Sequence, residues 1–376
     1  MSFVEGDLKC FSFSISDDPR KPSLLVQDFV EFPFSLYKNN DFWIPPMKVG
    51  QYFELSKANA FFTHGRAQLF LCKRNGKTVG RVSASVDDLL PSKRIGHFGY
   101  FDCVDDLEVA TLLLKEVVRW LKNQKKTRIE GPMNFNIYNS YRIQTKGYET
   151  TPFMGEVRNH SYYEKLIINL GLDPVRVWKS YEMDPEEMKD LNSKVSGMIQ
   201  KKQLKFPDEK ITHDPADFEN FEKEMATLRP ICLEIFSDNY SYTEIGDTEY
   251  IQSYGSMKKF MTPEQFLKCR NKNGLMIGVA YYYWDFHKSL QKAWGDLQKL
   301  EGTPFERPEN FVFHTIGAQK DYLSKGVFQY LLNQVYNVML KSPFKKAIMA
   351  LCVEELQFFR DYEDGLRAYT LFGKDI

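Results

Sequence analysis

Residues 316–328 read IGAQKDYLSKGVF, a stretch in which a predicted strand passes through a glycine-bearing turn into a predicted helix. The strand covers Asn310–Ile316, and apolar residues at helical spacing place the helix at Val327–Leu340. Such a turn offers backbone N–H groups and the positive end of a helix dipole to a pyrophosphate, and Lys320 and Lys325 add positive charge. The sequence therefore predicts that residues 316–328 bind an anionic ligand.

Strands and helices alternate on both sides of this turn. Upstream, the aromatic and β-branched run Leu275–Trp284 predicts a strand. Downstream, Lys345–Leu351 predicts a buried strand and Ala368–Phe372 a final one. Helices are expected at about Pro215–Phe236, after Thr262-Pro263-Glu264 and at Glu354–Tyr362.

The first half of the chain repeats this order. Asn75-Gly76 supplies the positive φ angles of a tight turn between two strands, and Asp105-Asp106 opens a helix with one apolar stripe. The other predicted elements are strands at Ala67–Lys73, Thr78–Val86, Ile95–Val104, Thr127–Gly131 and Val175–Met183, a helix at Tyr162–Leu170, and a linker helix with a strand at Lys201–Phe206. We therefore predict an α/β fold with two domains, residues 1–205 and 206–376.

Composition narrows the classes of function. Fifty basic residues balance fifty acidic ones, so the broad positive charge of a nucleic-acid binder is missing. No stretch is long and apolar enough to predict a membrane helix, and the start of the chain has no signal-peptide pattern. We therefore expect a cytoplasmic protein, as a monomer or homodimer, that does not act at a membrane.

Motifs of several enzyme classes are absent from the sequence. The six cysteines lie far apart, with no Cys-x-x-Cys pair and no Cys/His run at metal-ligand spacing, so we expect no metal. There is no Gly-x-Ser-x-Gly elbow, His-Glu-x-x-His pair, Walker lysine loop or Gly-x-Gly-x-x-Gly after a strand. These absences argue against serine hydrolase, zinc protease, nucleotide triphosphatase and dehydrogenase activity.

The turn around Gly317, Tyr322 and Lys325-Gly326-Val327 resembles the acyl-CoA turn of the GNAT superfamily of acyltransferases. The whole chain is similar to a bacterial family of tandem GNAT-like N-acetyltransferases. The other matching pieces are Phe42-Trp43-Ile44-Pro45-Pro46, His64-Gly65-Arg66-Ala67, Asn75–Val82, Gly96–Asp102, Gly131-Pro132-Met133-Asn134 and Tyr162-Tyr163. The resemblance implies two tandem GNAT-like (acyl-CoA N-acyltransferase) domains, with acetyl-CoA or another acyl-CoA as co-substrate and a small amine as acceptor.

The resemblance also implies a donor site in the second half. The residues expected to bind acyl-CoA are Ile316, Gly317, Lys320, Ser324, Lys325, Gly326 and Val327. Leu323 and Phe328 depart from the family pattern, which has Arg or Gln and then Gly or Ala at those positions. In the first half, the stretch Phe101–Asp106 ends in two acidic residues and has no glycine turn, so we expect no CoA there.

Acyl transfer to an amine needs a base for the amine proton and an acid for the departing thiolate. Tyr362 lies where the family often places its acid. His314, on the strand beside the donor turn, and Glu354, at the start of the next helix, are the candidate bases. A packing role for Tyr362 and His314, and a helix-dipole role for Glu354, remain open alternatives.

A polar loop follows the strand that ends at Gly131, at the edge of the sheet where open α/β folds bind ligands. Asn134, Asn136 and Asn139 in this loop, with Arg66 and Arg142, are the candidate acceptor-binding residues. Asparagine is also an ordinary loop residue, so a purely structural role is the alternative.

Three functions are compatible with these observations. The leading one is an acetyl-CoA-dependent N-acyltransferase of the GNAT type. The second is a catalytically inactive GNAT-like protein that binds a small molecule, because the acyl-CoA turn departs from the pattern. The third is a double-GNAT aminoacyl transferase that uses charged tRNA, which the balanced charge disfavours.

Overall fold

The computed structural model describes residues 7–203, 211–353 and 366–376. The chain folds into two compact units. Unit 1 comprises Met1–Trp178, His287–Glu306 and Arg367–Ile376, and unit 2 comprises Lys179–Phe286 and Arg307–Leu366. The sequence predicted consecutive domains, 1–205 and 206–376. The contacts instead assign two segments from the second half of the chain to unit 1.

The secondary structure alternates between strands and helices. The strands are β1 (Leu8–Phe13), β2 (Gly65–Arg74), β3 (Lys77–Asp87), β4 (Ile95–Cys103), β5 (Arg128–Gly131), β6 (Ile143–Lys146), β7 (Asp173–Met183), β8 (Thr212–Pro215), β9 (Phe266–Arg270), β10 (Met276–Trp284), β11 (Asn310–Ala318), β12 (Lys346–Val353) and β13 (Arg367–Asp375). The helices are α1 (Leu24–Leu36), α2 (Lys48–Glu54), α3 (Leu107–Asn123), α4 (Tyr162–Asn169), α5 (Pro185–Gln203), α6 (Phe221–Phe236), α7 (Asp247–Tyr254), α8 (His287–Ala293), α9 (Leu297–Gly302), α10 (Lys320–Leu323) and α11 (Val327–Met339).

Unit 1 is built on strands in the order β1-β2-β3-β4-β5-β13, with β6 also paired to β13. The predicted hairpin is confirmed, because Asn75 and Gly76 both have positive φ angles between β2 and β3. The acidic start of α3 is confirmed too: the side chain of Asp106 accepts hydrogen bonds from Glu108 and Val109 N–H. The apolar stripe of α3 packs on the sheet as the core of unit 1.

The strand that closes unit 1 comes from the end of the chain. β13 runs antiparallel to β5, with Phe372 opposite Gly131. A second distant segment also packs in unit 1, because Trp294 contacts Phe34 and Trp43, with ring centroids 6.2 and 5.4 Å away. Unit 1 is therefore completed by residues that the chain adds only after most of unit 2.

Unit 2 repeats the pattern in the order β12-β11-β10-β9-β8. β8 to β11 pair antiparallel, whereas β11 and β12 are parallel and are joined through α11. The buried face of α11 packs against these strands in the core of unit 2. The predicted strands at β10, β11 and β12 and the predicted helix at α11 are confirmed.

Three predictions of local structure differ from the structure. Thr262-Pro263-Glu264 starts a single 3-10 turn, and β9 follows where a helix was expected, because β8 and β10 flank this segment and pair with it. Residues 201–203 extend α5, where a strand was expected, and the rest of that predicted strand lies outside the described residues. Pro215 ends β8, so the helix predicted from it begins only at Phe221.

Candidate functional site

The two parallel strands β11 and β12 separate part of the way along unit 2. Their register pairs Asn310–Phe313 with Lys346–Met349 and ends there. β11 continues to Ala318 with β10 alone as its paired neighbour, and a bulge interrupts that pairing at His314. The backbone of β11 beyond Phe313 therefore has no strand partner on its β12 side among the described residues, and such an edge can accept a ligand.

His314 projects from this bulge and is exposed. Its Nδ1 lies 3.0 Å from the hydroxyl of Tyr281 and 2.9 Å from the hydroxyl of Thr315. The imidazole also stacks on the Tyr281 ring, with centroids 5.5 Å apart. Burial raises the pKa of Tyr281 to about 12, so this hydroxyl stays protonated at neutral pH and holds the imidazole in place.

Aromatic side chains surround His314. The Tyr283 ring lies 6.0 Å from the imidazole, and Phe266 stacks on the far side of Tyr281 at 5.5 Å. Tyr250, on α7, is buried and interacts electrostatically with Tyr281. His314 thus lies on a wall that favours an apolar or aromatic ligand and has few polar groups.

The predicted donor turn contains the short helix α10 and leads into α11. Lys320 forms an ion pair with Asp238 at 2.8 Å, and the Lys325 ammonium lies 4.4 Å from the centroid of the Tyr322 ring. Gly326 has a φ of 84° and begins α11. A side chain with a Cβ would be strained there, so glycine permits the abrupt entry into the helix.

The remaining predicted donor residues have different environments. Gly317 lies under α6, because a Cβ there would be 2.2 Å from Ile235. Val327 is fully buried in the core of unit 2, Ile316 is half-buried, and Ser324 is exposed. Phe328 packs against the same core. Tyr362 and Glu354, the predicted acid and one of the predicted bases, lie outside the described residues.

Unit 1 has a corresponding separation between β4 and β5, and a loop fills it. The register pairs Ile95–His97 with Arg128–Glu130 and ends there. Met133 N–H then donates to the Phe98 carbonyl at 2.7 Å, and Phe135 is fully buried. A Cβ on Gly99 would lie 2.2 Å from the Met133 carbonyl oxygen, so only glycine allows this approach. The loop occupies the space that a ligand would need.

The predicted acceptor asparagines hold this loop together. The Oδ1 of Asn134 accepts a hydrogen bond from Tyr100 N–H at 2.7 Å. The Oδ1 of Asn136 accepts from Tyr138 N–H at 3.2 Å and from the Asn139 amide at 2.9 Å. The contacts of Asn136 and Asn139 are local, whereas Asn134 ties the loop to β4, so the three side chains stabilise the loop that fills the separation.

The two predicted acceptor arginines have unlike settings. Arg66 is exposed and forms a bidentate ion pair with Asp88, at 2.7 and 3.1 Å. Arg142 is buried, and its guanidinium carbon lies 3.8 Å from the centroid of the Tyr141 ring and 4.4 Å from that of Trp178. Its φ of 73° is in the left-handed region.

The sequence did not reveal a buried polar cluster at the end of β4. Asp102 accepts hydrogen bonds from the hydroxyls of Tyr37 and Tyr163 at 2.9 and 3.0 Å, and from Arg81 Nε at 2.8 Å. Burial raises the pKa of both tyrosines well above the usual value. Arg81 and Asp102 face each other across β3 and β4, so a charged pair inside two otherwise apolar strands was the available signal.

The described residues contain neither a membrane-spanning helix nor a metal-binding cluster. No helix there combines the length and apolar character that crossing a membrane requires. No cluster of three or more metal-binding side chains is present in the same part of the chain.

Comparisons with known proteins add distant relatives. No family model matches the chain. Protein YghO of Escherichia coli is 28% identical over 249 residues, which span 64% of this chain and 61% of that protein. A bacterial ceramide synthase of Caulobacter vibrioides is 26% identical over 284 residues, 74% of this chain and 72% of that protein.

Solved structures similar to this chain cover almost all of it. A tandem GNAT protein from the clavulanic acid biosynthesis pathway matches 98% of both chains with a TM-score of 0.54 and 8% identity. A GCN5-related glucosamine N-acetyltransferase region of a fungal multi-domain β-N-acetylglucosaminidase matches with a TM-score of 0.58 and 13% identity. That match covers 99% of this chain and 38% of the fungal protein.

Proposed function

We propose that this chain, a mixed α/β protein with the tandem GNAT fold that its sequence predicts, is an N-acyltransferase. It would move an acyl group from acyl-CoA to an amine, in unit 2. The observation that carries the proposal is the end of the β11–β12 register at Phe313 and Met349, with His314 directly beyond it. Unit 1 lacks this space because its own loop fills it.

The chemistry assigns a role to the edge of β11. The amine nitrogen attacks the thioester carbonyl, the C–S bond breaks, and the CoA thiolate leaves. A backbone N–H of β11 would stabilise the negative oxygen of the tetrahedral intermediate. His314, oriented by Tyr281 and Thr315, would take the amine proton, and an acid such as Tyr362 would protonate the thiolate.

The donor would lie with its phosphates at the turn before α11. Gly326 and Lys325 are placed there, at the positive end of a 13-residue helix. Acetyl-CoA is the simplest donor. Since one relative is a bacterial ceramide synthase, a name that denotes acylation of a long-chain amino alcohol, we include a longer acyl-CoA and such an acceptor. The aromatic side chains around His314 are also compatible with such an apolar acceptor. A cytoplasmic location stays a prediction of the sequence.

Titration calorimetry on the full chain tests the donor site. We expect acetyl-CoA or palmitoyl-CoA to bind once per chain with micromolar affinity. Release of free thiol would then be followed with a panel of amines that includes glucosamine, a diamine and sphinganine. Absence of binding for both acyl-CoA molecules would contradict the proposal and favour the inactive binding protein. Transfer from charged tRNA without acyl-CoA binding would favour the aminoacyl transferase.

A substitution at His314 tests the base. His314→Gln keeps a hydrogen-bonding side chain but removes the base, so we expect turnover to fall about 10²- to 10⁴-fold with unchanged acyl-CoA affinity. The matched control is His213→Gln, because His213 is also in unit 2 and its Nδ1 lies 2.8 Å from the Tyr330 hydroxyl. Equal turnover in the two variants would remove His314 from the mechanism.

A further inference from the structure

We propose that unit 1 contains a second ligand site, which binds a compact oxyanion, a carboxylate or phosphate group, between Arg142, Arg158 and Tyr369. The inference rests on positive charge that is buried in unit 1 without a matching carboxylate. It does not depend on the proposed acyl transfer, which is assigned to unit 2.

Arg142 is the centre of this site. Its side chain is buried, with a relative exposure of 6%, between the Tyr141 and Trp178 rings. Its Nη1 has no hydrogen-bond partner among the described residues, and no described carboxylate forms an ion pair with it. A guanidinium keeps its charge at every physiological pH, so Arg142 is a buried cation that forms no ion pair with a carboxylate of the described residues.

Arg158 adds a second guanidinium, which donates hydrogen bonds to neutral acceptors. Its Nη2 donates to the Tyr148 carbonyl at 2.7 Å, and its Nη1 approaches the Gln144 amide oxygen at 3.4 Å. The Nε of Arg158 is buried and has no partner among the described residues. Burial lowers the pKa of both arginines, which shows that the environment opposes their charge.

Tyr369, on β13, supplies a third buried donor. Its side chain is fully buried, and its hydroxyl has no hydrogen-bond partner among the described residues. Gln144, the partner of Arg158, faces Tyr369 across β6 and β13 in the strand register. Arg142 precedes Ile143, which faces Thr370, so both arginines lie beside the same part of β13.

Glu156, a buried acidic residue that interacts electrostatically with Arg142, already has hydrogen-bond partners. Glu156 accepts from Arg367 Nε at 2.8 Å and from Phe153 N–H at 3.0 Å, and the side chains of Glu156 and Arg367 have no exposed surface. Glu149, which also interacts with Arg158, is exposed. Arg367 therefore takes the buried carboxylate, and neither Arg142 nor Arg158 forms an ion pair with a described residue.

Cation–π contacts do not supply the missing charge. Each is a modest attraction between the cation and a ring face, whereas an uncompensated buried ion carries a large desolvation penalty. A bound carboxylate or phosphate would accept hydrogen bonds from Arg142, Arg158 and Tyr369 at once, and Arg is suited to such planar oxyanions. The small exposed fraction of Arg142 limits the ligand to a compact anion or a narrow anionic head group.

Thermal unfolding of the full chain tests the site in phosphate, acetate and chloride at equal ionic strength. We expect a saturable rise in Tm with phosphate or acetate, and none with chloride. The oxyanion, phosphate or acetate, whose effect on Tm saturates at the lower concentration identifies the class of ligand. No saturable rise with either oxyanion would overturn the proposal.

Arg142→Met gives the decisive comparison. This variant removes an uncompensated charge, so we expect it to be at least as stable as the wild type in chloride and less stable than the wild type in saturating oxyanion. A purely structural Arg142 would instead make the variant less stable in both, and that result would overturn the proposal. The control is Arg66→Met, an exposed arginine already paired with Asp88, which we expect to leave the oxyanion effect unchanged.

A second variant, Arg158→Gln, tests the site independently if Arg142→Met fails to fold. It keeps a donor at a half-buried position, and we expect the oxyanion affinity to fall about 10-fold with a native circular dichroism spectrum. Unchanged affinity would count against the site. Acyl-CoA calorimetry on both arginine variants should match the wild type, so a failure of this site is distinguishable from a failure of the donor site in unit 2.

Discussion

The pair β4 and β5 in unit 1 and the pair β11 and β12 in unit 2 begin alike, as parallel strands that stay paired for only a few residues. Beyond that point they differ. In unit 1 the chain returns through residues 132–136 and fills the separation, with Gly99 under the Met133 carbonyl. In unit 2 the described residues contain no such loop, and His314 projects there instead.

The turns after β4 and β11 differ in charge as well. Asp106 caps α3 and is paired with Arg74, so carboxylates occupy the positive end of that helix. Lys325 and Gly326 precede α11. In the proposed function, one loop and a few charges distinguish the structural half from the donor-binding half of the same backbone plan.

Among the substitutions that test this difference between the units, Gly99→Ala should have the largest effect. The added Cβ would lie 2.2 Å from a backbone oxygen that cannot rotate away, so the loop must move. We expect a loss of about 3 kcal/mol or more in the free energy of unfolding, measured with urea. Gly50→Ala is the control, because its Cβ would meet nothing within 4 Å and should be neutral or stabilising. A small effect at Gly99 would mean that the loop is only loosely seated.

Asn134→Ala should have a smaller effect at the same loop. It removes the acceptor for Tyr100 N–H, which lies 2.7 Å from Asn134 Oδ1. We expect a loss of about 1 to 2 kcal/mol in unfolding free energy, because a backbone donor is left without a partner. Asn139→Ala, which removes an amide donor to Asn136, should cost less. If Asn134→Ala allowed unit 1 to bind a ligand, the loop would be identified as the feature that keeps ligands out of unit 1.

Glu54→Gln tests the support behind the loop through its pH dependence. Burial raises the pKa of Glu54, which accepts a hydrogen bond from the Tyr100 hydroxyl at 2.7 Å. The folded state therefore prefers the protonated carboxyl, and wild-type stability falls as pH rises from the ordinary value of 4.5 through the raised folded value. We expect the stability of the variant relative to the wild type to rise over that window, with no further rise above it. A difference independent of pH would contradict this reasoning.

Lys325→Gln, in unit 2, should have the smallest effect of these substitutions. Removing one positive charge at the start of α11 should weaken acyl-CoA binding about two- to fivefold by calorimetry. Lys345→Gln is the control, because Lys345 forms an ion pair with Glu309 in the same unit. Equal affinity in both variants would place the CoA phosphates away from the turn and weaken the contrast between the two units.

Local patterns predicted much of this fold. The hairpin at Asn75-Gly76, the helix opened by Asp106 and the strand–turn–helix order around Gly326 follow from turn chemistry, capping and periodicity. β9 was misread because its helix-like start at Thr262 is a local signal, whereas pairing with β8 and β10 decides the outcome.

For the candidate site, the roles assigned from the sequence stay predictions. His314 lies where the strands separate, as the sequence indicated for a base beside the donor turn, although its role stays a prediction. The asparagines Asn134, Asn136 and Asn139 were read as ligand-binding side chains, yet their partners are in their own loop or on β4. Which polar groups a loop residue satisfies depends on contacts that spacing along the chain does not contain.

The sequence by itself determined the α/β class, the tandem order of elements and the charge of each turn, because these depend on residues a few positions apart. Tertiary structure decided that β13 completes unit 1, that residues 132–136 fill one strand separation, and that Glu156 pairs with Arg367, 211 positions away. The physical reason is that burial and charge pairing are settled between groups that meet only after the chain has folded.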